Sequence, residues 1–204
     1  MSPSYFAFVG AVLCSCSAFA QQATDDVPRS AVELGVGQGH SGYAGLRAQI
    51  GYRQYYGSHF FSSARLSGTR VSEPLIMAPG ATPLPRHYQS AFLEYALYYN
   101  FLRNTRRLAV AVGIGPYLGY THKQDYLWVT YGYNPASTQP GTLAYEKYRV
   151  SGVRIGALLS LHVGVAIDKH QRWRLESEGI FQRMRGGAQL GLILKTSYRL
   201  YAAD

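Results

Sequence analysis

No cysteine follows Cys16 in this 204-residue chain, which removes disulfides, thiol nucleophiles and cysteine-ligated metal from everything downstream. The first 20 residues carry no charged side chain at all. Beyond them no run approaches the roughly 18 apolar residues that a membrane-spanning helix requires, and no heptad pattern appears. The 6 histidines, at positions 40, 59, 87, 122, 162 and 170, show no metal-site spacing, so no zinc and no cofactor is expected. Gly35-x-Gly37-x-Gly39 has no helix pattern behind it and is not a nucleotide fingerprint.

What is present at the start is an apolar run, Tyr5 to Cys14, followed by Ala18-Phe19-Ala20 and then Gln21-Gln22. This is the form of a secretory signal peptide over 1–20 with an A-x-A cleavage site. Leu13-Cys14-Ser15-Cys16 offers a weaker lipoprotein-box alternative. Residues 21–30, with Asp25-Asp26 and Pro28, read as a short periplasmic lead-in. The net charge of +9 therefore belongs wholly to the mature chain. Its Lys and Arg are spread among strands and turns instead of forming a basic run with stacking aromatics, so no direct nucleic-acid binding is expected.

From residue 31 the dominant pattern has a period of two. In the last segment Leu190, Leu192, Leu194, Thr196, Tyr198 and Leu200 alternate with Gly191, Ile193, Lys195, Ser197 and Arg199. The same alternation, broken by Gly, Asn, Pro or charge clusters, predicts strands over 31–38, 43–56, 59–71, 87–102, 107–121, 147–167, 171–184 and 187–202. The expected fold is all-β: a transmembrane antiparallel up-and-down β-barrel of eight strands over 31–202, with lipid outside and polar residues inside. Bacterial barrels have short periplasmic turns and longer external loops. Gly57-Ser58, Arg103 to Arg106 and Asp168 to His170 fit the inner turns, which places both ends of the mature chain in the periplasm. Ser72 to Arg86 and His122 to Glu146 fit external loops, although Gly39 to Gly42 and Arg185-Gly186 are short. Pro116, inside the fifth strand, conflicts with a continuous ladder and calls for a bulge or a place at the membrane rim.

Parity puts Glu33, Arg47, Arg53, Arg65, Glu94, Arg154, Arg172, Arg174, Glu176, Glu178, Lys195 and Arg199 on the inward face. Arg or Lys facing lipid at the midplane costs roughly 2–4 kcal/mol. Eight strands enclose a space that side chains fill, so the expectation is a salt-bridged, plugged interior; a narrow anion-preferring channel is the alternative. Tyr52, Tyr55, Tyr56, Tyr99, Phe101 and Tyr201 fall toward the periplasmic ends, and Tyr43, Tyr88, Tyr120 and Tyr148 toward the outer ends, as interfacial girdles do. Tyr126, Trp128, Tyr131, Tyr133 and Tyr145 lie beyond, either as a partner- or glycan-binding loop or as a hairpin above the membrane.

For catalysis the nearest constellation is Ser160 with His162 on one strand face, with Glu94 to orient the imidazole. Both point inward, whereas an envelope-lipid-modifying enzyme must present its nucleophile to the bilayer, so no enzymatic activity is expected. The chain reads as a structural or interaction component whose partners are outer-membrane lipid and envelope proteins.

With strands placed, the chain resembles outer-membrane β-barrels of Bacteroidetes type. Its second half is similar to the TraO family of conjugative-transposon proteins: Glu94 to Phe101 (EYALYYNF), a short turn, Leu108 to Tyr120 (LAVAVGIGPYLGY), a long loop, Gly152 to Ile167 with the turn Asp168-Lys169-His170, and the final strand pair. That resemblance implies a component of a DNA-transfer apparatus, partnered by transfer-apparatus proteins, with no catalytic residues to carry over. Ala202-Ala203-Asp204 depart from the usual aromatic barrel terminus.

Overall fold

A computed structural model of the chain describes residues 28–40, 44–76, 83–132, 142–184 and 187–201. They form eight strands: β1 Ser30–His40, β2 Ala44–Tyr56, β3 Phe60–Leu75, β4 Leu84–Asn100, β5 Leu108–Gly132, β6 Thr142–Ala166, β7 Trp173–Met184 and β8 Gly187–Leu200. Each pairs antiparallel with its neighbours in sequence, and β8 returns to β1 to close the barrel. The leader, most of the lead-in, Tyr43, Tyr133 and Ala202 to Asp204 lie outside the described residues.

Closure gives the period of two its physical meaning, because alternate side chains must enter either the lumen or the outer surface. On β8, Leu190, Leu192 and Leu194 are exposed while Ile193, Lys195, Ser197 and Arg199 are buried. On β6, Val153, Ile155, Leu159 and Leu161 face out, and Leu158, Ser160 and His162 face in. The outer apolar band ends, near the chain termini, in a row of rings: Phe60 lies 5.2 Å from Tyr99, Tyr99 lies 5.5 Å from Phe101, and Trp173 lies 4.9 Å from Tyr198. Three tyrosines assigned to the girdles behave differently. Tyr55 and Tyr88 are buried in the interior, since they share parity with Arg53 and with Phe92 and Glu94, and Tyr148 takes the inward-facing parity of β6.

The short turns 57–59, 101–107 and 167–172 all lie at the end that holds the termini; Gly57 adopts φ +76°, which the tight first turn requires. The opposite end is uneven. The segments expected as long loops are largely strand: Ser72 pairs with His87 and Leu75 with Leu84, and Tyr120 to Gly132 pairs with Thr142 to Val153. Pro74 and Pro85 oppose each other where β3 has passed β2 and β4 has not yet met β5. Among the described residues each strand has one ladder neighbour there, so a missing N–H costs little. β5 and β6 are each 25 residues long, more than twice the ~9–11 that cross a bilayer. Because β7 pairs with β6 only from Ala157 onward, the upper half of the β5–β6 hairpin stands as a ribbon whose β6 edge has no ladder partner among the described residues.

Pro116 is accommodated by neither a bulge nor the rim. The β4–β5 ladder omits the pairs at Tyr95 and Ala96 and resumes in the same register, Glu94 with Tyr117 above the gap and Leu97 with Ile114 below it. Gly115 permits the close approach, since a Cβ there would sit 1.9 Å from the Tyr95 carbonyl oxygen. The true irregularity of β5 lies between Tyr126 and Trp128, where Leu127 bulges.

β5 presents small residues to the lumen so that rings from β3 and β4 can occupy it. Tyr98 stacks on Phe61 at 4.7 Å, and a Cβ on Gly113 would meet the Tyr98 ring at 2.4 Å. Since Phe61 blocks retreat of that ring, Gly113→Ala should destabilise the barrel by about 1–3 kcal/mol. The check is urea unfolding, together with the fraction that keeps its folded mobility on unheated gels; wild-type behaviour in both would refute the packing argument.

Candidate functional site: the charged lumen and the aromatic ribbon

The inward charges come from β1, β2, β3, β4, β7 and β8, while β5 and β6 face them with Ala109, Ala111, Gly113 and Gly164. Register places Arg65 opposite Glu94 and Glu176 opposite Lys195. From these pairs a single alternating chain of ions runs through the interior. Arg47 donates to Glu94, and Glu94 lies 3.3 Å from Arg65. Arg65 donates to Glu178 at 2.5 Å, and Lys195 donates to Glu178 at 2.6 Å and to Glu33 at 2.7 Å. Arg53 joins Glu33 at 3.2 Å to Glu176, which it grips through both terminal nitrogens at 3.0 and 2.9 Å.

Neutral groups complete the carboxylate shells. Ser67 donates to Glu94 at 2.5 Å and Gln182 at 2.9 Å, Ser63 to Glu33 at 2.8 Å, Ser197 to Glu176 at 2.9 Å, and Tyr98 to Glu178 at 2.6 Å. Residue-type reading singled out only the charges, yet Ser63, Ser67, Gln182 and Tyr98 share parity with charged residues on their own strands, and that signal identifies them. Arg53 also lies over Phe61, 4.5 Å from the ring centroid.

Two residues assigned to the lumen stand elsewhere. Arg172 is exposed, because β7 begins only at Trp173 and the preceding turn releases position 172 from the barrel's alternation. Arg154 keeps inward parity but sits high on β6, half-buried, donating to Thr121 at 3.2 Å. Arg174 and Arg199 are buried in the lumen outside the alternating chain.

Ser160 and His162 are both buried in the lumen. The serine hydroxyl donates to Glu178 and accepts from Tyr98 at 3.2 Å. Neither ring nitrogen of His162 has a hydrogen-bond partner among the described residues; Nε2 is 3.8 Å from Glu176. Glu94, bound by Arg47 and Arg65, does not orient the imidazole. The imidazole therefore does not serve Ser160 as the general base of a triad. Among the described residues no group of three His, Cys, Asp or Glu side chains is placed to hold a metal ion.

The aromatic residues of the expected long loop lie on the β5–β6 ribbon, with Tyr133 outside the described residues. Tyr126 and Tyr145 meet edge to face at 5.3 Å, and the Tyr126 hydroxyl donates to the Pro85 carbonyl at 3.1 Å. Partial desolvation, and then the neighbouring Tyr145, raise that phenol above its ordinary pKa. Exposed Trp128 donates its indole N–H to Glu146 at 2.9 Å. Tyr131 pairs through its backbone with Leu143. Below them Asp125 holds Arg86 at 3.1 Å and Lys123 at 3.0 Å, tying β4 to the ribbon.

This architecture is shared with solved bacterial surface proteins. The fold is that of eight-stranded outer-membrane β-barrels. The chain is similar to Ail, the attachment invasion locus protein of Yersinia pestis, crystallised with the heparin analogue sucrose octasulfate: 10% identity, 84% of this chain and 97% of that one, TM-score 0.52. It is also similar to Neisserial surface protein A (9% identity, 84% and 96% covered, TM-score 0.53) and to OprG of Pseudomonas aeruginosa (7% identity, 87% and 98% covered, TM-score 0.51). No family model matches the sequence, and no curated protein does.

Because Glu178 serves both Arg65 and Lys195, Glu178→Gln should leave these two cations short of charge. Removing one partner of a buried pair costs typically about 3–5 kcal/mol. Urea unfolding of the purified barrel should show a loss of that order for Glu178→Gln and much less for Ser160→Ala. Equal, small effects would mean that the ion chain does not carry stability.

Proposed function

We propose that this is a Gram-negative outer-membrane protein, with both ends of the mature chain in the periplasm, that works by contact: a filled barrel holding the β5–β6 ribbon outside the cell for a partner or glycan. The observation that carries this reading is the height of the ribbon, which passes every other strand and bears the exposed rings of Trp128 and Tyr145. The outward apolar band supports the membrane placement, since a soluble protein would not expose Leu34, Val36, Leu46, Ile50 and Leu66 side by side. Cross-lumen ion pairing favours a plugged barrel over an anion channel. Placement in a conjugative DNA-transfer apparatus, or in a Bacteroidetes lineage, rests on the order of elements in the sequence, and the shared fold adds nothing to it.

Topology is tested first. The mature chain lacks cysteine, so Lys147→Cys on the ribbon should react with an impermeant maleimide on intact cells, while Lys169→Cys in the β6–β7 turn should not. The opposite pattern overturns the orientation. For function, Trp128→Ser combined with Tyr145→Ser should abolish partner co-purification with the barrel still folded, because buried aromatic anchors contribute about 2 kcal/mol or more to an interface. Ser160→Ala should leave both partner capture and envelope lipid composition unchanged. A changed lipid profile in Ser160→Ala beside a wild-type ribbon variant would replace the contact reading with an enzymatic one. A stable anion-selective conductance in planar bilayers that responds to Arg154→Ala would replace it with a channel.

A further inference from the structure

Among the described residues the barrel interior buries six cations, Arg47, Arg53, Arg65, Arg174, Lys195 and Arg199, against four carboxylates, Glu33, Glu94, Glu176 and Glu178. The alternating chain matches four with four and leaves Arg174 and Arg199. Arg174 donates to the backbone carbonyls of Arg106, Arg107 and Gly164 at 3.1, 2.9 and 3.3 Å. Carbonyls satisfy its two terminal nitrogens but bring no counter-charge, and its buried Nε has no hydrogen-bond partner among the described residues. Its nearest carboxylate oxygen, on Glu176 at 3.7 Å, is already held by Arg53 and Ser197. Arg199 is more isolated: its guanidinium lies over the Tyr55 ring at 5.3 Å, and its buried Nε and Nη1 find no hydrogen-bond partner among the described residues.

These two cations are neighbours. Ser197 stands opposite Arg174, so Arg199, two residues on, is the diagonal lumen neighbour on β8. Ala31 stands opposite both Arg53 and Arg199, adding no bulk between β2 and β8. The Tyr55 oxygen accepts from Arg53 at 3.3 Å, which leaves the phenolic proton to be donated elsewhere. The turn end of the lumen thus gathers unpartnered N–H donors, an available O–H and a net positive charge. A buried charge without its counter-charge is strongly unfavourable, and water supplies acceptors but no charge.

The geometry points to a binding site for a small inorganic anion at the turn end of the lumen, formed by Arg199 Nε and Nη1, the Arg174 guanidinium and the Tyr55 hydroxyl. Ala31, opposite Arg199, is 0% exposed, and a monatomic halide is the anion that asks for least space in so enclosed a place. A bound anion makes the interior's charge nearly balanced and stabilises the folded barrel by mass action.

The experiment compares urea unfolding of the purified full barrel in sodium gluconate, sodium phosphate, sodium chloride and sodium bromide at equal ionic strength. The wild-type midpoint should rise with chloride or bromide and saturate, whereas phosphate and gluconate should give no such rise. Arg199→Gln should lose that rise, and Arg149→Gln, on the exposed ribbon, should keep it. If Arg199→Gln does not fold, Tyr55→Phe removes one donor and should weaken the halide dependence at least severalfold. Bromide-grown crystals should show an anomalous peak beside the Arg199 guanidinium. The site is overturned by a midpoint indifferent to the anion, by an unchanged rise in both Arg199→Gln and Tyr55→Phe, by a rise with phosphate alone, or by a crystal in which the carboxylates of Asp25 or Asp26 occupy the guanidinium in place of bromide.

Discussion

The barrel depends on a chain of alternating charge that crosses its interior, from Arg47 through Glu94, Arg65, Glu178, Lys195, Glu33 and Arg53 to Glu176. Closing eight strands leaves a space only as wide as the side chains that fill it, and half of every strand must point there. A charged residue in that space has no bulk water to return to. It persists because its neighbours on other strands supply opposite charge, so register and ion pairing specify each other. A slip of one residue on β4 would carry Glu94 to the outer face and strand Arg47 and Arg65.

The two remaining strands make that arrangement possible by contributing little bulk. Glycine and alanine on β5, and Gly164 on β6, let Tyr98, Phe61 and the long arginines reach across, and Gly115 lets the backbone approach β4 beside Pro116. The same two strands then continue beyond the barrel. β7 and β8 pair up to Met184 and Gly187, and among the described residues no strand but β5 flanks the upper part of β6, so the strands end high on one side of the outer end and low on the other. The asymmetry separates the tasks: the lower barrel is filled and charge-paired, and the ribbon carries the exposed rings.

Much of the inward face was legible from parity alone, because a charge on the lipid side is so unfavourable that alternation leaves little choice. Arg47, Arg53, Arg65, Arg174 and Arg199 follow from it, as do the four glutamates. Arg172 shows the limit, since parity holds only inside a strand and a turn of irregular length resets it. Tyr55 and Tyr88 show another: composition near strand ends suggests a girdle, but facing is decided by a single residue of phase. The prolines of 72–86 read as loop because their missing donors argue against a sheet, and that argument weakens where a strand has one neighbour instead of two.

The sequence by itself determined that this is a closed sheet with an apolar outside and a charged inside, because a period of two with charges on one phase has few other solutions. It also determined which charges inside the strands enter the lumen, since facing is a local property of each strand. Only the tertiary structure decided which charges meet. Pairing depends on the stagger of strands distant in the chain, and nothing local distinguishes Arg53, gripping Glu176 through two hydrogen bonds, from Arg199, over the ring of Tyr55 without a carboxylate. The ribbon was likewise a tertiary matter: whether Tyr120 to Gly132 is loop or strand depends on a partner segment that only the closed barrel brings alongside.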